Sequence, residues 1–222
     1  MKIIEPSFEI MKPAKLDNIA RNAIYRAIEA AGRTCYKSES YIASDSAVKF
    51  VASCIKNGHE AMLEHAFMTV RFVVDRGISH EIVRHRVASY AQESTRYCNY
   101  SADRFDGEIT VIRPSFFRED SPSYAVWKNA CEQAERAYFA LLNIGETSER
   151  ARAVLPSSLK TEIVMTANMR EWRHFFKLRA IGVTGKPHPQ MQDIAYPLLV
   201  TVGEFMPELF GDILRGTDSR KG

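Results

Sequence analysis

The stretch MTVRFVVDRGISHEIVRHRVASYAQESTRY, Met68 to Tyr97, decides how the chain is read. Its opening alternates: Met68, Val70, Phe72 and Val74 fall on one side and Thr69, Arg71 and Val73 on the other, the period of a strand with one buried face. Ser79 then fits as the cap of a short helix through Arg86, after which the segment runs on as helix or loop. Between Val83 and Tyr97 it gathers Arg84, Arg86 and Arg96 with His85, Gln92, Glu93, Ser94 and Thr95. So much polar machinery directly behind an apolar strand needs a ligand or a reaction to explain it.

Outward from that stretch the pattern is mostly helical. Leu16, Ile19, Ala20, Ala23, Ile24, Ala27, Ile28 and Ala31 follow the three-and-four spacing of an amphipathic helix from about Asp17 to Gly32. A second helix begins near Ser46, carries Ala47, Phe50, Val51, Cys54 and Ile55 on one face, and stops at Asn57-Gly58. Glu108 to Arg113 reads as a strand ended by Pro114, and Trp127, Cys131, Ala134, Tyr138 and Leu141 share one helical face. A strand over Thr161 to Thr166 leads into the charged helix NMREWRHFFKLR. The last helix carries Met191, Ile194, Ala195, Leu198 and Leu199, with Pro197 and Pro207 expected to kink it. The expected class is α+β, a single domain spanning residues 1–222 in which a few strands pack with long helices.

Composition narrows the function classes. The chain has 222 residues, 45% of them apolar, enough for one sizeable core. No run approaches the roughly 20 apolar residues of a membrane span, and MKIIEPSFEI is too short and too charged for a secretory leader, so a soluble, cytoplasmic protein without membrane contact is expected. The net charge of +3, spread among nearly balanced acids and bases, does not suggest a nucleic-acid coat. Cys35, Cys54, Cys98 and Cys131 form no C-x-x-C pair and read as free thiols.

Two segments nearly spell a zinc protease. HEAMLEH separates His59 from His65 by six and HEIVRH separates His80 from His85 by five, whereas two ligands on one helical face need a separation of four. No metal is expected, and Glu81 is expected to pair with Arg84 or His85 one turn on. Ser94 and Cys98 are possible nucleophiles, but no spacing reveals the base that either would need. The arginines are more informative. Arg84, Arg86 and Arg96, with Arg152, Arg170, Arg173 and Arg179 downstream, sit among hydrogen-bonding residues, and guanidinium suits bidentate contact with anionic oxygens. Two separated clusters favour a ligand with more than one anionic group, such as a nucleotide.

Arg84-His85-Arg86, then seven residues, then Ser94 matches the RHR-x7-S signature of the flavin-dependent thymidylate synthases. Arg96-Tyr97 resembles the close of the extended motif. GHEAMLEHAF resembles the His-rich segment before the family's first long strand, and LPSSLKTEIVMTANMREWRHFFKLR its second cofactor and nucleotide segment. The three together span about residues 58 to 190.

The resemblance implies reductive methylation of dUMP to dTMP, with 5,10-methylenetetrahydrofolate as carbon donor and FAD, reduced by NADPH, as hydride carrier. It also implies a homotetramer with active sites where subunits meet. Arg84, His85 and Arg86 would line the FAD site, with Arg84 shared with the nucleotide, and Asn168, Arg170 and His174 would complete it. His59 matches a histidine near the flavin, and Ala61 falls where the family can use threonine. Glu81, Arg152 and, from a neighbouring subunit, Gln92, Glu93, Ser94, Thr95 and Arg96 would hold dUMP, with Gln92 and Glu93 also reaching the cofactor. Arg179 matches the arginine facing the uracil ring, the residue assigned the catalytic role, and Ser94 would bind without attacking.

Two departures stand out. The family pattern carries Asn-Glu where this chain has Ala91-Gln92, so the acidic contact is either lost or taken over by Glu93. Between Arg179 and His188 runs AIGVTGKP, longer than expected there and rich in Gly and Pro, the composition of a mobile or substrate-ordered loop. Two rivals remain: a catalytically weak flavin- and nucleotide-binding relative, and a basic nucleic-acid binder, which would show steeply salt-dependent affinity for oligonucleotides.

Overall fold

The computed structural model describes residues 1–218. They form six strands and eight α-helices: β1 (Lys2–Ile4), β2 (Ser7–Lys12), α1 (Asn18–Tyr36), α2 (Ser46–Lys56), β3 (Phe67–Asp75), α3 (Arg76–Ile82), β4 (Ala88–Gln92), β5 (Thr110–Ile112), α4 (Pro122–Asn143), α5 (Ser148–Ala151), β6 (Lys160–Asn168), α6 (Met169–Phe176), α7 (Pro189–Phe205) and α8 (Pro207–Asp218). The α+β class is as expected. One sheet has the order β2-β3-β6-β4, and β1 pairs with β5 in a second, parallel pair with Ile3 opposite Val111.

The chain divides into two compact units, and β3 and β6 each contribute residues to both. The first comprises Met1–Ser7, Phe72–Arg84 and Tyr90–Val164. Its core gathers Tyr100, Ile109, Val111, Cys131, Tyr138, Ala151 and Leu159. Cys131 and Tyr138 come from the apolar face of α4, whose start is set by Pro122 in the first turn and by the Ser121 hydroxyl accepting from the Tyr124 N–H at 3.2 Å.

The second unit comprises Phe8–Arg71, His85–Ser89 and the chain from Met165 onward. Here α1 packs on α2 so closely that a Cβ at Gly32 would lie 2.3 Å from the Phe50 ring, which is why α1 carries a glycine there. Trp172, Phe175 and Phe176 of α6 are fully buried, and the Trp172 indole donates to the Met68 carbonyl at 3.0 Å. Arg173 is buried too. Its guanidinium takes both carboxylate oxygens of Asp212 on α8, the Glu60 carboxylate and the Leu209 carbonyl, which pins α6 to α8.

The long periodic elements lie where the sequence puts them. β3 buries Met68, Val70, Phe72 and Val74, β6 buries Thr161, Ile163, Met165 and Ala167, and the Thr69 and Thr166 hydroxyls meet at 2.9 Å on the other face. The corrections are local. The helix after β3 is capped by Asp75, not Ser79: its carboxylate accepts from the Ile78 N–H at 2.7 Å, so the helix starts four residues earlier and ends at Ile82. Ser79 lies inside that helix and donates back to the Arg76 carbonyl. Residues 88–92, expected as helix or loop, form strand β4, its alternation hidden because its partly buried side includes Gln92 and its exposed side is Ser89 and Ala91. β1, with three residues, was too short for periodicity to reveal, and β2 was not expected either. Pro207 does not kink a helix; it begins α8, where its missing N–H has no role to fill.

Candidate active site

In the first unit the motif residues are bound into one polar cluster. The Gln92 amide donates to Ser79 Oγ at 2.9 Å and to Thr161 Oγ1 at 3.3 Å, and Arg76 reaches the Glu93 carbonyl and Thr161 Oγ1, each at 3.5 Å. Lys160 bridges Glu93 at 3.0 Å and Glu162 at 2.7 Å. Burial alone would lower the ammonium's pKa, but its two carboxylates outweigh that and raise it, so Lys160 stays charged. The second oxygen, Glu93 Oε1, is buried without a protein hydrogen-bond partner.

Further along, Arg152 donates to the buried Thr95 hydroxyl at 3.2 Å, and Arg96 pairs with Glu149 at 2.8 Å with both side chains about half exposed. Ser94 Oγ accepts from the Arg96 N–H at 3.3 Å, organising the turn that follows β4. Glu81 is half-buried at the end of α3, and its backbone carbonyl receives the Arg84 backbone N–H at 3.3 Å; the Arg84 side chain is exposed.

The second unit holds a tighter arrangement. His85 is 3% exposed and lies between two partners: Nδ1 is 2.8 Å from Glu171 Oε1, and Nε2 accepts from Arg179 Nε at 3.2 Å. Glu171 is thus a carboxylate partner of His85 that the spacing did not suggest. Its ring also packs edge-on against Phe175 and His174, with centroids 4.9 and 5.6 Å away. Arg179 sits in a π-helical turn, Lys177–Ile181, that continues α6; this widened turn, a form often found at functional sites, aims Arg179 at His85.

Asn168 caps α6 by accepting from the Glu171 N–H at 2.8 Å, and exposed Arg170 pairs with Glu64 at 2.6 Å. Arg86, His59, Ala61 and His174 are exposed. His59 and Ala61 lie on the short helical segment around Glu60–His65, tied to α6 by the Glu60–Arg173 pair. Half of the expected long loop is ordered by backbone contacts: Ala180 and Ile181 belong to the π turn, Val183 N–H returns to the Lys177 carbonyl at 3.0 Å, and Gly182 turns with φ +74° where a Cβ would strike the Gly185 carbonyl. His188 stands exposed at the cap position of α7.

Among the described residues the ligand atoms of His85, Glu171 and His174 lie within 4.8 Å of one another, close enough to hold a cation. Both His85 nitrogens are already hydrogen-bonded, and the Arg179 charge on Nε2 opposes a second cation there. All four cysteines are free, and burial pushes the Cys54 and Cys131 thiols up, away from nucleophilic thiolates. Sequence reasoning missed Glu171, Lys160, Arg76 and Thr161. Only Glu171 left a trace: Asn168 and Glu171 have the spacing of a capping box, which would turn the carboxylate back onto the helix start.

In the second unit the exposed side chains Arg86, Arg170 and His174 offer arginine and imidazole donors. That donor set fits a dinucleotide carrying a pyrophosphate.

No helix among the described residues is long and apolar enough to cross a membrane. A sequence model of the family described as "Thymidylate synthase complementing protein" matches residues 20–208. The chain is 34% identical over 194 residues to a flavin-dependent thymidylate synthase of Geobacter sulfurreducens, covering 84% of this chain and 80% of that one. It is 33% identical over 205 residues to one from Corynebacterium aurimucosum, covering 83% and 78%. Over 167 residues it is 33% identical to one from Pyrococcus furiosus, covering 74% of this chain and 66% of that one. The fold resembles the crystal structure of a UMP/dUMP methylase, PolB from Streptomyces cacaoi, bound with 5-Br dUMP, with a TM-score of 0.75 at 20% identity over 95% of this chain and 96% of that one.

Proposed function

The chain belongs to the thymidylate synthase complementing family, that of the flavin-dependent thymidylate synthases, and from that premise we propose that it is a methyltransferase that reductively methylates dUMP to dTMP. The carbon comes from 5,10-methylenetetrahydrofolate and the reducing equivalents from NADPH. FAD, when bound, supplies the hydride transfer chemistry. The working form is a homotetramer whose sites lie between subunits, and residues 1–222 act as one functional domain.

The chain's own residues divide the work. Arg96 and Arg152 bind the nucleotide phosphate; Arg96 exchanges the half-exposed Glu149 carboxylate for it, a substitution that costs little because surface ion pairs are weak. Ser94 shapes the turn that presents backbone N–H groups and has no base to make it a nucleophile. Glu93 Oε1, an acceptor without a protein donor, takes a sugar hydroxyl, and Gln92, Thr95, Glu81 and Arg84 complete the contacts. Arg84, His85, Arg86, Asn168, Arg170 and His174, with His59 and Ala61, hold the flavin, which Gln92 and Glu93 also reach.

Arg179 faces the pyrimidine. Its cation stabilises negative charge on the ring and so raises the nucleophilicity of C5 without a covalent enzyme thiol. The observation that carries this reading is the aimed guanidinium: Arg179 donates to a buried imidazole at 3.2 Å. The test is the visible absorption spectrum of the purified protein after adding FAD and removing excess by gel filtration. A retained flavin band is expected; a colourless protein that resists reconstitution would refute the flavin site.

A further inference from the structure

The geometry points to Glu171 as a positioning residue that aims Arg179 through His85, an inference that rests on the pyrimidine-facing role of Arg179 proposed above. Glu171 stands in the first turn of α6, where an acidic residue ordinarily faces water or folds back on the cap. Here it is only 9% exposed, its backbone N–H is already taken by Asn168, and its carboxylate oxygen lies 2.8 Å from His85 Nδ1.

Donor logic then fixes the imidazole. An ionised carboxylate only accepts and a guanidinium only donates, so the sole neutral tautomer that satisfies both neighbours carries its proton on Nδ1 and leaves the Nε2 lone pair for Arg179 Nε. The opposite tautomer would set Nε2–H against the arginine N–H and a bare Nδ1 against the carboxylate. Phe175 and His174 packed against the ring restrict it from turning away. Glu171 decides which way His85 accepts, and His85 decides where the Arg179 charge rests, as a carboxylate behind a metal-bound histidine sets that ligand's tautomer.

The test begins with 15N NMR of the histidine side chains in the full-length protein without substrate, His85 being assigned from a His85→Gln variant. One neutral form protonated on Nδ1 is expected. A wild-type His85 protonated on Nε2 would overturn the proposal, and this measurement needs no altered Glu171. In Glu171→Ala the Nε2-protonated form is expected to appear, and kcat/KM for dUMP should fall on the order of 10- to 100-fold. Glu171→Gln, whose amide oxygen can still accept from Nδ1–H, should recover most of that loss.

A role confined to folding is separated by the double variant. With Arg179 already replaced by Ala, Glu171→Ala should cost no further activity; an undiminished penalty there would overturn the coupling. Because the NMR measurement uses no substrate, a protein with the expected tautomer that makes no dTMP would refute the functional reading alone and would still support the Glu171–His85–Arg179 chain.

Discussion

The polar cluster of the first unit and the buried trio of the second use similar side chains under different constraint. Around β4, Arg96 is held by a carboxylate that is itself half exposed, and Glu93 keeps an oxygen without a protein donor. Behind α6, His85 and Glu171 are nearly inaccessible, and each hydrogen bond fixes the next. The first arrangement can exchange internal partners for a ligand. The second sets a charge before any ligand arrives, which is the form electrostatic stabilisation requires, since groups already in place need no reorganisation during the reaction. Binding should therefore depend on the first region and turnover on the second.

Arg179→Ala gives the largest expected break in that comparison: kcat falls on the order of 10²- to 10³-fold while flavin is retained, measured by turnover beside the visible spectrum. Equal losses of flavin and turnover would make Arg179 a cofactor-site residue and erase the distinction.

Asp212→Ala comes next and addresses the scaffold that holds α6. Arg173 is 2% exposed and would lose its bidentate partner, so stability should fall by about 2 kcal/mol, discounted from a fully buried pair because Asp212 is itself 37% exposed. For a chain of this size the melting temperature should drop by roughly 4–8 °C. The pair also fixes a sign. Burial alone would raise the Asp212 pKa, but hydrogen bonding and charge from Arg173 hold it below its ordinary 3.8. A depressed carboxylate contributes stability that is present above 3.8 and is lost as pH falls through its lower folded value. The melting temperature of the wild type should thus decline in that acid window more steeply than that of Asp212→Asn, and parallel curves would remove the pair from the stability account.

Arg96→Ala sharpens the other half. The KM for dUMP should rise about tenfold with kcat little changed, the signature of lost binding shared by ground and transition states. Smallest is Ser94→Ala, expected to weaken dUMP binding a few-fold, the worth of about one hydrogen bond, with activity remaining. Complete loss of turnover with intact binding would restore a nucleophilic serine.

What could be read in advance follows from range. β3, β6, α1, α2 and α4 were legible because each repeats its period long enough to stand out, and the RHR segment was legible because its polar residues have no place in an apolar pattern. β4 escaped because a strand whose semi-buried side includes glutamine shows no hydrophobic alternation. Asp75 was overlooked as a cap because Ser79 offered an equally plausible local signal, and choosing between them depends on where the strand ends.

The pairings of Glu171 and Lys160 could not be found by spacing. Glu171 lies 86 positions from its partner His85, and Lys160 lies 67 from Glu93, so only the fold makes those pairs. The arginines were marked by their type; the residues that aim them were not.

The most direct test of the central claim is dTMP formation by the FAD-loaded protein from dUMP and 5,10-methylenetetrahydrofolate with NADPH, followed by mass spectrometry. The account expects dTMP that depends on every one of these components and nearly vanishes in Arg179→Ala. A protein that keeps its flavin and binds dUMP yet forms no dTMP would contradict it.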